Sequence, residues 1–295
     1  MTMPTRRRAL QLLAACLAWP GAASAGPVAP PRIAAIDWTG AEALLALGVA
    51  PCGVSDTGYY RERMREPALP PDVTDIGPFW EVNMELLAEL RPDLILAATS
   101  NLISMPALET IATVHLVPET VPPEGRYALG VAILRDVAAL IGRKTEGAAV
   151  IDAADRTLSR HAAALRNSER RPVFVLLPNA NGRNAVVYGA RSLPDAVLAR
   201  LGFANAFTGR TNAAGVATIG VEVLVRQPSA SILMVDIPSA RRRVESAIAR
   251  SALWQALEPV RAGRVGFVEG FYPFGGVPSA LRLAESLVRQ LTRSA

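Results

Sequence analysis

Cysteine, histidine and lysine are nearly missing from this chain of 295 residues, which holds two cysteines, two histidines and one lysine, Lys144. Cys16 falls within an amino-terminal leader, so Cys52 stands alone and the remaining chain has no partner with which to close a disulfide. His115 and His161 are 46 positions apart, and neither belongs to a metal-ligand spacing such as H-E-x-x-H. That argues against a zinc enzyme or a histidine-built metal carrier. One histidine reads as lying beside a strand and the other on a helix surface. Catalytic signatures are missing too: there is no G-x-S-x-G elbow, no G-x-G-x-x-G and no Walker loop. No catalytic residue is therefore assigned, and a carboxylate-only hydrolase is the one enzyme class left open.

Acidic residues are absent from the first 25 positions, which instead carry Arg6, Arg7 and Arg8. The short apolar run Ala9 to Ala18, the break at Pro20-Gly21 and the A-x-A site at Ala23-Ser24-Ala25 then complete the pattern of an export signal. Thr5-Arg6-Arg7 resembles a twin-arginine start. In an alternative reading, Leu13-Ala14-Ala15-Cys16 is a lipoprotein box that would anchor the protein through Cys16. Without Arg6, Arg7 and Arg8 the formal charge falls from +5 to +2, too little for the concentrated basic face of a nucleic-acid binder. The run Arg241-Arg242-Arg243 reads as a solvated helix start. Every later apolar run is interrupted by proline, glycine or charge, so none is a candidate membrane span.

What remains is rich in apolar residues, 51% of the chain, arranged as short strands alternating with amphipathic helices. This is the pattern of parallel sheets covered by helices, an α/β fold. Strands are expected at 32–37, 49–54, 94–98, 114–117, 173–177, 186–188, 232–236 and 264–268. Helices are expected at 41–47, 84–90 behind an Asn83 cap, 107–112, 127–141, 193–201 ended by Gly202, 221–225 and 279–291. The unit Glu85 to Leu96 (helix, proline turn, strand) is echoed by Glu222 to Leu233, which implies two similar lobes. Between them, 144–166 has no proline and few strand formers. It reads as one linking helix roughly 30 Å long, with Ala149, Ala153, Leu158, Ala162 and Leu165 as its apolar stripe. The expected division is a signal at 1–25, a lobe at 26–143, the helix at 144–166 and a second lobe at 167–295.

The order and spacing of several pieces carry a family resemblance. They are Leu44 to Val49 leading to Gly53-Val54, Asp56-Thr57, Tyr60-Arg61, Glu66-Pro67, Asp75-Ile76-Gly77 and Asn83 with Glu85-Leu86-Leu87. Further on come Tyr188-Gly189, Ser192-Leu193, Asn205-Ala206, Trp254 to Leu257 and Val260 to Arg264. In these the chain resembles periplasmic substrate-binding proteins of the helix-linked class that serve iron-siderophore and vitamin B12 ABC importers, and among them the ferric-hydroxamate binders. The resemblance implies two Rossmann-like lobes with a ligand cleft between them, and no enzymatic step or resident cofactor. The bound ligand would be a ferric siderophore, handed as cargo by a monomer to an inner-membrane permease and its ATPase. Cobalamin or haem is the alternative ligand for the same fold.

The resemblance also implies site residues. Phe79 stands where the relatives carry an oxygen-binding arginine, Asn101 where they carry a tyrosine, and Ala213 or Ala214, beside Asn212, where they carry a tryptophan. Phe271, Tyr272 and Phe274 replace a late aromatic cluster. Tyr59, Tyr60 and Tyr188 in loops at strand ends, with Trp80 and Arg61, complete the expected ligand set, while Trp38 and Trp254 are expected to pack structurally. Arg63, Arg65, Arg183, Arg191 and Arg210 are further rim candidates. Glu109 and Glu245 are the candidates for docking to the permease.

Overall fold

A computed structural model of the protein describes residues 31–64 and 66–293; the export segment 1–25 with Cys16 lies outside them, as does Arg65. The first half runs β1 (Ile33–Ala35), α1 (Trp38–Ala46), β2 (Gly53–Val54), α2 (Thr57–Arg63), β3 (Thr74–Asp75), α3 (Met84–Glu89), β4 (Leu94–Ala98), α4 (Thr99–Ser104) and β5 (Thr113–Val117). Two long helices follow, α5 (Arg126–Leu140) and α6 (Lys144–Ala164). The second half runs β6 (Val173–Pro178), β7 (Asn184–Tyr188), α7 (Leu193–Leu201), β8 (Val216–Gly220), β9 (Ser231–Val235), α8 (Pro238–Arg250), α9 (Ala252–Ala256), α10 (Glu258–Arg261), β10 (Val265–Val268) and α11 (Val277–Arg293).

The strands form two five-stranded sheets, ordered β3-β2-β1-β4-β5 and β8-β7-β6-β9-β10. The two orders are identical position for position, and the repeated helix–turn–strand unit falls on the matching strands β4 and β9. The first sheet is wholly parallel. The second is not, because β7 runs antiparallel to both β6 and β8. Only residues 179–183 join β6 to β7, too few for a helical crossover. Asn181-Gly182 makes the turn, with Gly182 at φ 66° and Asn181 Oδ1 accepting the N–H groups of Arg183 and Asn184. This Asn-Gly hairpin signal, the strands β3 and β8 and the short helices α2, α4, α9 and α10 were absent from the sequence expectations. Three further differences are local. The strand expected at 49–54 pairs only at Gly53–Val54, and the helices expected at 107–112 and 221–225 are 3₁₀ turns, Pro106–Thr110 and Val221–Arg226.

Strand parity sorts residues between cores. Ile33 and Ala35 face one cluster while Ala34 and Ile36 face another, and Val173 and Val175 alternate with Phe174 and Leu176 in the same way. Both faces of each sheet are therefore buried, which is why these strands read as unbroken apolar runs. The largest cluster belongs to both halves: Leu44, Leu96 and Leu134 share it with Val175, Leu198 and Leu283. The helix α6 crosses behind this common core, burying Gly147, Ile151, Ala154 and Leu158. That stripe differs in phase from the expected one, since Ala149 and Ala153 are exposed. The bulky Ile151 sets the buried face, with Leu158 two turns on, and Gly147 brings α6 close to Ala138 of α5.

Candidate functional site

The carboxyl ends of the first sheet's strands open onto a cleft of about 430 Å³. Each strand contributes through the loop or helix that follows it: Ile36, Asp37 and Trp38 after β1, Asp56 and Tyr59 after β2, Phe79 and Trp80 after β3, Ala98, Ser100 and Asn101 at β4, and Glu119 after β5. The second half reaches in with Tyr272, from the turn after β10. Open α/β sheets place ligand sites at strand carboxyl ends for this reason: the loops gather there and helix N-termini point inward.

Aromatic rings build the walls. Trp38 lies at the centre, with ring centroids 5.6 Å from Tyr59, 5.2 Å from Tyr60 and 5.1 Å from Tyr272. The chain of rings continues from Tyr272 to Phe274 at 5.6 Å and from Phe274 to Tyr188 at 6.4 Å. Trp38 is itself fixed, its indole N–H donating to the Ser55 carbonyl at 2.9 Å. Opposite stand Phe79 and Trp80, edge to face at 4.8 Å, residues that are 51% and 62% exposed. Two large aromatic faces so open to solvent beside a cavity are poised for a ligand.

The loop carrying them is held from below. Asn101 accepts the Ala98 N–H at 3.0 Å and donates to the Phe79 carbonyl at 2.8 Å. Asp75 accepts from Thr57 and from Gly77 N–H; burial pushes its carboxyl up, but these bonds together outweigh it and leave the carboxyl below the usual carboxylate range. Asp56 sits in the left-handed region at φ 47°. Its carboxyl is raised by burial and by the neighbouring Asp75, while the Phe79 N–H opposes the shift. Asp37 caps α1 through the Gly40 N–H at 3.0 Å, and burial raises its carboxyl against the pull of Arg126. Glu119 grips Ser100 twice, at the N–H (3.0 Å) and at the hydroxyl (2.9 Å).

Of the residues expected in the ligand set, Tyr59, Phe79, Trp80, Asn101 and Tyr272 line the cleft together. Phe274 stands one ring behind and Tyr188 two, and burial pushes the Tyr188 phenol up to about 12 although Arg63 opposes it. Four others lie elsewhere. Tyr60 is fully buried in the core beneath Trp38, on the inward face of α2. Phe271 is core as well, because its neighbour in an extended turn takes the cleft side. Arg61 reaches outward to the Pro70 carbonyl at 2.8 Å. Asn212 is a turn residue, accepting the Ala214 and Val216 N–H groups at 3.0 Å.

The rim arginines among the described residues are also placed away from the cleft lining. Arg183 and Arg210 are exposed, and Arg191 binds the Val121 and Pro122 carbonyls. Arg63 is buried behind Tyr59, donating to its hydroxyl at 3.0 Å, with its Nε unpartnered. Sequence reasoning missed Asp37, Asp56, Ser100 and Glu119 as lining residues, and Trp38 as more than packing; their positions at strand ends were the available signal. Glu109 is exposed on the 3₁₀ turn between β4 and β5. Glu245 is exposed on α8, after the matching strand β9, and pairs with Arg241 at 2.9 Å. Among the described residues no cluster of three or more histidine, cysteine or acidic side chains is arranged to hold a metal ion, and no helix is long and apolar enough to cross a membrane.

A two-lobed α/β chain with an aromatic cleft at the strand ends and a shared helical backing is a binding-protein architecture. The sequence matches the periplasmic binding protein family over residues 33–269, and the chain belongs to that family. It is 30% identical over 293 residues to the iron(3+)-hydroxamate-binding protein FhuD of Escherichia coli, covering 96% of this chain and 95% of that one. Among solved structures, FhuD from Vibrio cholerae bound to Fe3+–Desferal superposes with a TM-score of 0.83 at 26% identity, covering 90% of this chain and all of that one. The triscatecholate siderophore-binding protein FeuA from Bacillus subtilis shares the fold, with a TM-score of 0.67 at 17% identity, covering 90% and 94% of the two chains.

Proposed function

We propose that this protein is the periplasmic receptor of an iron-chelate ABC importer, capturing a ferric hydroxamate siderophore and releasing it chemically unaltered to an inner-membrane permease and its ATPase. The observation that carries this reading is the cleft itself: aromatic walls from the first half, closed by Tyr272 from the second. A ferric siderophore presents a curved organic shell around a coordinatively saturated metal, so the protein needs flat apolar walls and a few polar groups, with no ligand to the iron. Likeness to two hydroxamate-binding relatives across nearly the whole chain supports the choice of chelate.

In this reading the protein acts as a monomer, exported by its amino-terminal segment. Glu109 and Glu245, on topologically matched connections of the two halves, are the permease-docking pair. The test is a tryptophan-fluorescence titration with ferric hydroxamate, catecholate and carboxylate chelates, cobalamin and haem. Trp38 and Trp80 both line the cleft, so ferric hydroxamates quench saturably at one equivalent. Quenching by cobalamin or haem alone overturns the assignment.

A further inference from the structure

Among the described residues, the charged side chains that line the cleft are all acids. Asp37, Asp56 and Glu119 face it, and no described lysine, arginine or histidine does. Two described arginines lie close by: Arg126 is buried with its guanidinium on the Phe274 carbonyl and over the Phe274 ring, where its charge acts on Asp37 and Glu119 but not on Asp56, and Arg63 is buried behind Tyr59. The exposed wall of Phe79 and Trp80 adds the negative faces of two π-systems. Aromatic faces combined with carboxylates are the surroundings that stabilise an organic ammonium, through cation–π attraction and direct charge, and that repel an anion.

The three acids are not equivalent. Asp37 is engaged as the cap of α1 and by the field of Arg126. Both oxygens of Glu119 are held by Ser100. The Asp56 carboxyl has the Phe79 N–H as its one described donor, and a left-handed backbone sets it at the cleft wall. Resting on the siderophore reading above, we propose that the cleft selects ferric hydroxamates bearing a protonated amine over neutral or anionic chelates of the same shape, with Asp56 as the carboxylate that meets the ammonium.

A matched pair of probes isolates that charge. Ferric Desferal carries a free primary amine, and its N-acetyl derivative keeps the same three hydroxamates and the same iron core without the positive charge. The full-length mature protein is titrated with each at about 20 mM and about 500 mM salt. The expected result is that the amine form binds about tenfold or more tightly at low salt, and that the gap narrows at high salt as screening sets in. Asp56→Asn, a residue that tolerates the left-handed region, shrinks the gap between the two probes to about threefold or less, and an undiminished gap in this variant overturns the role of Asp56. Glu119→Gln leaves most of the gap in place. Equal affinity for the two probes, or tighter binding of the N-acetyl form, overturns the charge selection and leaves the siderophore reading intact. Binding of neither probe overturns both.

Discussion

Glu42 and Ser279 are joined by a hydrogen bond between side chains 237 positions apart, both fully buried where α1 of the first half meets α11 of the second. The Glu42 carboxylate also accepts the Gly276 N–H at 2.8 Å, so one acid ties the start of the closing helix to the first sheet's helix. Asp37, Arg126, Tyr60 and Tyr272 are the other ionisable groups that feel it.

Burial pushes the Glu42 carboxyl up to about 7 from its ordinary 4.5, outweighing the hydrogen bonds from Ser279 and Gly276. An acid raised on folding keeps its proton in the folded state while the unfolded chain releases it. Stability therefore falls as pH rises from about 4.5 to about 7 and stays at the lower level above that. Thermal melts at closely spaced pH values are expected to show Tm declining through this window. Glu42→Gln removes most of the decline while Asp37, shifted in the same direction, keeps its part. Identical slopes for the two proteins count against a protonated Glu42.

The seam between the halves is also a backbone contact. A Cβ on Gly130 of α5 would lie 2.6 Å from the Gly276 Cα, and neither backbone has room to give. Gly130→Ala is expected to lower stability by about 1–3 kcal/mol as an overpacked core site, read as a lower urea midpoint. Gly58→Ala, with nothing within 4 Å of the new methyl group, is the control and should gain about 0.4–1 kcal/mol. Equal midpoints for the two variants would show the seam to be compliant.

That seam was invisible in the sequence for a physical reason. Periodicity reports which face of a helix is apolar, and it located α1, α5, α7 and α11 closely, but it carries no information about which helices meet. The repeat of 85–96 in 222–233 did carry such information, because matching units occupy matching strands, and the identical strand orders follow from it. The antiparallel β7 was legible through Asn181-Gly182, whose hairpin meaning the wider alternation of strands and helices masked. In the site, aromatics in glycine- and proline-rich loops were readable as Trp80 and Tyr272, and Phe79 came with the family resemblance. The acids were not, since Asp37, Asp56 and Glu119 look like any cap or surface carboxylate until the sheet brings their loops together.

Asn101 is a positioning residue for the Phe79–Trp80 wall. Its two polar side-chain atoms are both engaged by backbone, one at Ala98 and one at Phe79. Asn101→Ala leaves a buried N–H and a carbonyl without partners, and about 1–2 kcal/mol of stability is expected to go with them. The sharper consequence is local: amide exchange at residues 77–82 accelerates by more than at β4, and chelate affinity drops through faster dissociation. Uniform acceleration across both segments would mean that Asn101 supports the fold alone.

Trp80 and Trp254 separate binding from folding most cleanly. Trp80 is 62% exposed on the cleft wall, whereas Trp254 is 0% exposed, its indole N–H held by the Gly182 carbonyl at 3.0 Å. Removing Trp80 deletes a face that only a ligand covers, so Trp80→Ala is expected to weaken ferric hydroxamate binding by about 1–3 kcal/mol. Its effect on stability should stay within about 0.5 kcal/mol. Trp254→Ala empties part of the second half's core and orphans the hairpin carbonyl, costing about 3–5 kcal/mol of stability. The folded fraction that remains should bind with wild-type affinity, since no part of Trp254 reaches the cleft. Chelate titrations and urea melts on the same two variants check both halves of the argument. Unchanged affinity in Trp80→Ala would remove that ring from the site and leave Trp38, Tyr59, Phe79 and Tyr272 as its walls.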